Sequence, residues 1–322
     1  MRVEGACASG SLAFSAAVDA LRAGNDVAVV VGAEVQTTAS ARQGGEYLAR
    51  ASHFQRQSKL DDFVFPALFA RRAKACLDAG VVTDEDLAAL SVKAYENANK
   101  NPLAHMHSVS MDIDTALVSS AKNPNFLGNA ELKAYMKASD CSQVSDGAAA
   151  LVLATKEGLH KLGKLPSNCI ELIGIGQATG NLYKDSDPLT MATSSAAAAR
   201  AFAESNISAH DIEIAELHDC FTISEVLMME AIGFSKKGHG AALVRSGATR
   251  IDGKLPINTG GGLVGFGHPV GATGVKQILE IFRQMKGECG TYQIPKIPTI
   301  GLAANMGGDD KTSVVTVFRN IQ

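Results

Sequence analysis

Apolar positions recur along this chain in two rhythms, and each predicts a different element. Ser11–Ala23 is rich in alanine, with Leu12, Phe14, Val18 and Leu21 as its larger apolar residues. Small residues nearly all round predict a helix buried on several sides, and Gly24 is a natural stop for it. Val27–Val31 is a continuous apolar run, mostly β-branched, of the kind expected for a buried parallel strand. The opening therefore reads as a short strand end at Met1–Glu4, a helix and a second strand. Further strands are predicted at Ala148–Ala154, Ile170–Ile175, Ile212–Leu217, Ile300–Ala304 and Thr312–Phe318. Helical patterns fall at Glu157–Leu162, Ser194–Glu204 and Ser224–Ile232. Another follows Gly274, with Val275, Ile278, Leu279, Phe282 and Met285 on one face.

Between about Thr37 and Ser139 the long apolar strands disappear and polar residues rise. Phe65–Ala79 reads as helix. Thr83-Asp84-Glu85-Asp86 starts another, with Thr83 as cap, Asp86 completing a capping-box-like pattern and acids filling the first turn. This stretch reads as a helical insertion. Gly163–Asn168, with Pro166, is a linker to a second half that begins at Cys169. Gly174, Gly176 and Gly180 imitate a dinucleotide fingerprint, but their spacing is wrong and no helix pattern follows directly.

Composition narrows the class. The chain has 322 residues, 46% hydrophobic and 20% charged, with net charge −3, enough for two domains with sizeable cores and no sign of a nucleic-acid partner. No run is apolar enough to span a membrane. Six cysteines lie at positions 7, 76, 141, 169, 220 and 289 with no C-x-x-C pair, so reduced thiols are expected rather than a structural metal site. His105-Met106-His107 has no acid or thiol clustered with it in sequence and predicts no metal centre.

Two motifs carry chemistry. Gly5-x-Cys7-x-x-Gly10 opens the first helix, and His268-x-x-Gly271 opens a late one. Each reactive side chain has glycine three positions later, and each half closes with an apolar strand. Two related β/α halves would bring Cys7 and His268 together from equivalent helix starts. At a helix N-terminus a thiol pKa is expected to fall; alone, Cys7 reads more readily as a small packing residue, the commoner fate of a free cysteine. A Cys beside a His suits thiolate attack on a thioester, and glycine turns such as Gly307-Gly308 offer backbone N–H donors to an oxyanion. Cys220, two residues after His218, is a second thiol for moving a proton to or from carbon.

Gly-Ala-Cys-Ala-Ser-Gly at 5–10, His-Asp-Cys-Phe at 218–221, Gly-Gly-Gly at 260–262, Gly-His-Pro-Val-Gly-Ala-Thr-Gly at 267–274 and Asn-Met-Gly-Gly at 305–308 resemble the thiolases. The His-Asp-Cys-Phe form resembles their sterol-carrier-protein-type branch. The resemblance implies an α/β thiolase fold of two pseudo-twofold-related halves with mixed sheets. Residues 1–36 and 140–165 would form the first half, 37–139 a loop domain covering coenzyme A, and 166–322 the second half. It implies Cys7 as acylated nucleophile, His268 as its activator, His218 as partner donor of one oxyanion hole, and Gly307 or Gly308 joining the Cys7 N–H in the other. Many thiolases carry a further Cys where Asn305 stands here; Cys220 resembles the substitute used in the sterol-carrier branch. No permanent cofactor is implied. Acyl-CoA and coenzyme A are the expected partners, in a homo-oligomer, dimer or tetramer.

Competing readings are a ketoacyl-synthase-like condensing enzyme and a non-catalytic thiolase-fold scaffold or lipid-binding subunit. Only six residues precede Cys7, whereas about a hundred of the second half precede His268. The expectation is an incomplete first half with a narrower sheet, an open edge and an uncovered apolar helix face. A mitochondrial or cytoplasmic location is expected, since the C-terminal Asn320-Ile321-Gln322 is no peroxisomal address.

Overall fold

In the computed structural model, which describes residues 1–321, the chain forms two sheets on either side of a pair of crossing helices. The first sheet has two strands, β1 (Val27–Glu34) and β2 (Gly147–Ala154), paired antiparallel from Val27–Ala154 to Glu34–Gly147. The second has four: β3 (Ile170–Thr179), β4 (Ile214–Leu217), β5 (Ile300–Gly307) and β6 (Thr312–Asn320), in the order β3-β6-β5-β4. β5 pairs parallel with β4 and antiparallel with β6, and β6 antiparallel with β3. The sheet is mixed, as expected, and the first sheet is the narrower of the two.

The central helices are Ser9–Arg22 and Thr273–Lys286. The later one packs against β1 and β2 on one side and β4 and β5 on the other. It is strongly amphipathic, with Val275, Ile278, Ile281 and Met285 buried. The helices meet where neither has a side chain. A methyl group on Gly10 would lie 2.8 Å from the Val275 backbone nitrogen, and one on Gly274 would lie 2.4 Å from the Ser11 nitrogen. The Ala-rich helix Ala192–Ser205 covers β3 and β6 by the same device. Methyl groups on Gly174 and Gly176 would lie 2.3 Å and 2.0 Å from the Ala201 and Ala197 carbonyls. Those glycines thus serve helix–sheet packing, which accounts for their dinucleotide-like look.

Residues 37–139 carry helices Ala41–Ala49, Phe54–Gln57, Val64–Asp78, Asp84–Lys100 and Ile113–Leu117, without a strand. The capping box is present: the Thr83 side chain accepts from the Asp86 N–H, and the Asp86 carboxylate accepts from the Thr83 N–H. This segment shares one apolar core with the second half, running from Leu68, Phe69 and Leu90 to Leu217, Met228 and Val317. Phe69 stacks on Phe221, ring centres 4.6 Å apart.

Three expectations need correcting. Met1–Glu4 forms no strand; Glu4 is exposed, its carboxylate accepting from the Ser9 hydroxyl at 2.9 Å. β1 is antiparallel and half-covered rather than parallel and buried. Val30 faces the helices, while Val29 is 65% exposed and its partner Val152 63%. A run of valines reads alike whether one face is buried or two, because periodicity records the residues and not what covers them. The uncovered apolar surface therefore lies on this sheet, at Val29, Val31 and Val152, and not on the Ser9–Arg22 helix, whose Phe14, Ala17 and Val18 are buried.

The helix crossing gives a paired stability prediction. Gly274→Ala should destabilise by about 1–3 kcal/mol through overpacking against the Ser11 backbone. Gly44→Ala, inside helix Ala41–Ala49 with nothing within 4 Å of the added carbon, should stabilise by up to about 1 kcal/mol. Urea midpoints of the two variants check both signs.

Candidate functional site

The Cys7 turn is built by its neighbours. Ala6–Ala8 is a single 3₁₀ turn ahead of the Ser9–Arg22 helix. Ala6 sits at φ +54°, a left-handed conformation that costs a residue with a Cβ. Ser9 holds the turn in place: its hydroxyl accepts from the Gly5 N–H at 2.9 Å and lies 2.6 Å from the Ala6 carbonyl. Opposite, at the β5–β6 turn, Gly307 lies so close to the chain that a methyl group there would be 2.6 Å from the Gly5 carbonyl. Gly308 is left-handed at φ +67°. Its backbone N–H and that of Cys7 itself both act to lower the pKa of the Cys7 thiol.

His218 emerges from the end of β4. Asn258, at φ +57° just before the glycine run, latches this strand end. Its side-chain oxygen accepts from the Leu217 N–H at 2.8 Å, and its amide donates to Glu225 at 3.2 Å. Asp219 accepts from the Leu263 N–H at 2.7 Å, tying the His218 turn to the glycine-rich loop. Cys220 is buried with its sulfur 3.6 Å from the Ser224 hydroxyl. His268 is fixed through its backbone, which donates to the Gln143 carbonyl and accepts from the Gln36 amide. Glu34, at the end of β1, accepts from the Gly271 N–H at 3.0 Å.

These elements bring Cys7, His218 and His268 together: one ligating atom from each lies within 4.8 Å of the others. The two rings meet edge to face with centroids 5.1 Å apart. Their backing partners assign them opposite tautomers. His268 Nδ1 is 2.7 Å from the Thr273 hydroxyl, which donates to the Pro269 carbonyl at 3.1 Å. Thr273 therefore accepts from Nδ1–H and leaves Nε2 as a lone pair; this atom is buried and has no hydrogen-bond partner. His218 Nδ1 is 3.0 Å from the Asn305 amide nitrogen, which can only donate. His218 thus carries its proton on Nε2. One ring is arranged as a base and the other as a donor.

Burial sets the charges. His218 is 1% exposed and His268 8%. Desolvation holds both pKa values below the ordinary 6.5, that of His268 at about 4, and the neighbouring ring depresses His218 further. Burial also pushes the Cys7 thiol up to about 12, against the pull of the Gly308 and Cys7 N–H groups and with a small further rise from Glu34. This reverses the expected lowering. The helix start supplies N–H donors, but removal from water outweighs them. Cys220 is raised well above its ordinary value, chiefly by burial. The resting site is neutral thiol beside neutral imidazoles.

All six residues singled out in the sequence lie at or next to this junction. Sequence reasoning missed the parts played by Thr273 and Asn305, which set the tautomers, and by Asn258 and Glu34, which hold the strand ends. Thr273 and Asn305 stood inside recognised motifs, and Asn258 just ahead of the glycine run. Glu34 left no signal, because its partner is more than two hundred residues away.

Residues 1–157 match the family model described as thiolase, N-terminal domain, and residues 174–320 the thiolase C-terminal domain-like model. An acetyl-CoA acetyltransferase of Methanothermobacter thermautotrophicus is 33% identical over 320 residues, 98% of this chain and 79% of that protein. Sterol carrier protein 2 of Oryctolagus cuniculus is 31% identical over 261 residues, 80% of this chain and 45% of that protein. Among solved structures, an Ltp2–ChsH2(DUF35) aldolase superposes with TM-score 0.76 at 22% identity, covering 99% of this chain and 78% of that one, a likeness of fold.

Two pH responses follow from the site. Alkylation of Cys7 by iodoacetamide should be slow at pH 7 and still rising beyond pH 9, because only the thiolate reacts. A plateau below pH 8 would contradict the neutral-thiol assignment. His268 binds its proton less readily folded than unfolded, so its neutral form favours folding above the unfolded value of 6.5. That contribution fades as pH falls through 6.5 towards about 4, by roughly 3 kcal/mol in all. His268→Gln should lose less stability than the parent between pH 7 and pH 4, read from urea midpoints.

Proposed function

Because this chain belongs to the thiolase family, we propose that it catalyses acyl transfer between coenzyme A thioesters through an acylated Cys7. The reaction is cleavage of a 3-ketoacyl-CoA by coenzyme A, or its reverse, condensation of an acyl-CoA with acetyl-CoA. The observation that carries this reading is the convergence of Cys7 with a base-configured His268 and a donor-configured His218, under the Gly308 N–H.

The geometry assigns each group one task. As the Cys7 sulfur attacks the thioester carbonyl of the acyl donor in synthesis, or the 3-keto carbonyl in cleavage, its proton passes to His268 Nε2, so the thiolate exists only along the reaction path. The tetrahedral oxyanion is received by the Cys7 and Gly308 N–H groups, held by rigid turns before the charge develops. Collapse expels the leaving thiolate or carbanion and leaves acyl-Cys7. The second substrate's carbonyl oxygen accepts from His218 Nε2–H, with the proton now on His268 as second donor. Cys220, kept protonated at rest by burial, gives its proton to the departing α-carbon in cleavage, and in the reverse course of that step its thiolate takes one from the α-carbon. Gly307 serves close packing of the turn, and Gly308 is the donor. Coenzyme A acts as substrate, with the helical segment 37–139 as its cover.

A scaffold role is disfavoured by the expense of the arrangement. A strained Ala6 and an unpartnered buried nitrogen on His268 cost stability and serve packing nowhere. We further propose that the chain assembles as a homo-oligomer, since Val29, Val31 and Val152 leave an apolar sheet face in water.

Three outcomes test the reading. Incubation with acetyl-CoA should add one acetyl group, located on Cys7 by peptide mass spectrometry; an unmodified protein would sink the proposal. Cys7→Ser should lose thioester cleavage by several orders of magnitude, because an alcohol is a far weaker nucleophile beside the same base. Cys220→Ala should still acylate Cys7 yet fail to form the carbon–carbon bond; intact condensation would move that proton transfer elsewhere.

A further inference from the structure

The Cys7, His218 and His268 cluster has the composition of a transition-metal site, although no C-x-x-C or His-x-His spacing announces it. One thiol and two imidazoles are the donor set that borderline-soft divalent cations prefer. The ligating atoms already lie within 4.8 Å of one another. Tetrahedral zinc holds its ligands at about 2.0–2.3 Å, which puts them roughly 3.5 Å apart. A contraction of about an ångström closes the gap, and half-buried Cys7 is the least enclosed of the three.

Two observations point independently to a ligand here. His268 Nε2 is a buried lone pair without a partner, on a residue 8% exposed. Its opposite nitrogen is anchored to an acceptor, Thr273, the outer-shell arrangement that orients metal-binding histidines. His218 is anchored as well, by Asn305, but with the amide donating. The oxygen of the same amide is buried and unpartnered. Turning the amide over would place that oxygen against Nδ1, draw the imidazole proton there and free Nε2 to ligate.

We propose that these three residues bind a thiophilic divalent cation of the zinc type, and that the bound ion holds the catalytic site shut. The inhibitory part rests on the acyl-transfer reading above; the binding itself does not. In the binding step the cation forms one bond to sulfur and two to imidazole nitrogens. The thiol proton leaves to solvent, and the His218 proton moves from Nε2 to Nδ1. No oxidation state changes. The fourth position is left for water or an incoming thiol. Metal and acyl group then compete for the same sulfur, and Asn305 decides between two states of His218: donor to substrate, or ligand to metal.

The test uses the metal-free 322-residue chain titrated with Co2+ as a visible probe and then with Zn2+. One Co2+ per chain should bind with the strong visible absorption of a tetrahedral ion and a sulfur-to-metal band in the near ultraviolet, and Zn2+ should abolish both. Cys7→Ser should lose the sulfur band, and His268→Ala should weaken binding at least about tenfold. Asn305→Asp separates ligation from mere structural upset. Its carboxylate must accept from His218 Nδ1–H, so it should tighten cobalt binding roughly tenfold or more while slowing condensation. Weak octahedral spectra, a sulfur band that survives Cys7→Ser, or no tightening in Asn305→Asp would overturn the proposal. Should a variant fail to fold, protection decides: Zn2+ should shield Cys7 of the unaltered chain from iodoacetamide, and absence of shielding sinks the site. Acetyl trapping on the metal-free protein is read separately. Metal binding without an acetyl adduct would discard the catalytic reading and leave the metal site standing.

Discussion

The close crossing of two helices at their N-terminal glycines is the constraint from which the rest of the structure follows. Gly10 and Gly274 let backbone touch backbone between Ser9–Arg22 and Thr273–Lys286. Each helix has its reactive side chain in the short turn that leads into it, so this approach is what brings Cys7 to His268. The two sheets supply pressure from outside. The narrow one holds the crossing through β1, β2 and the Glu34 contact to Gly271; the wide one delivers His218 from β4 and Gly308 from the end of β5. A bulkier crossing would open the site before it disturbed either sheet.

The same closeness governs the electrostatics. Packing backbone against backbone leaves little room for water, and desolvation then outweighs every local dipole. A cysteine at a helix start is usually discussed as an activated thiolate. Here the thiol stays neutral, its two imidazoles stay neutral, and their differences lie in where each proton sits. Threonine behind one ring and asparagine behind the other give two chemically identical side chains opposite capacities. A charged resting pair in so dry a place would need further hydrogen bonds to survive, and the surroundings offer few.

The fold was legible wherever short-range pattern suffices. The helix and strand runs, the Thr83–Asp86 cap and the glycine motifs around Cys7 and His268 are local signals with local causes. The six residues that the structure gathers at the junction were singled out because motif order resembles that of a known family. What the sequence concealed depends on three-dimensional surroundings. The valines of β1 carry no mark of which face stays open. Cys7 carries no mark of its desolvation, since the segments gathered around it lie some hundreds of residues away. Asn305 looked like the place where a cysteine is missing; in the fold it is the partner that orients His218.

The pairing of β1 with β2 has a consequence for how the chain reaches this structure. Their register joins Val27 to Ala154 and Glu34 to Gly147, so the strands bracket the whole 37–139 segment. No turn brings them together, and closing so long a loop before any reward is entropically unfavourable. The bracketed helices have their own partner, the apolar core shared with the second half. They are therefore expected to collapse onto that half first and carry the strand ends towards each other as they do. The narrow sheet then forms late, and the His268 loop, tied to its Glu34 end through the Gly271 N–H, is among the last parts to become ordered. Chemistry in this protein waits on the slowest contact of its assembly.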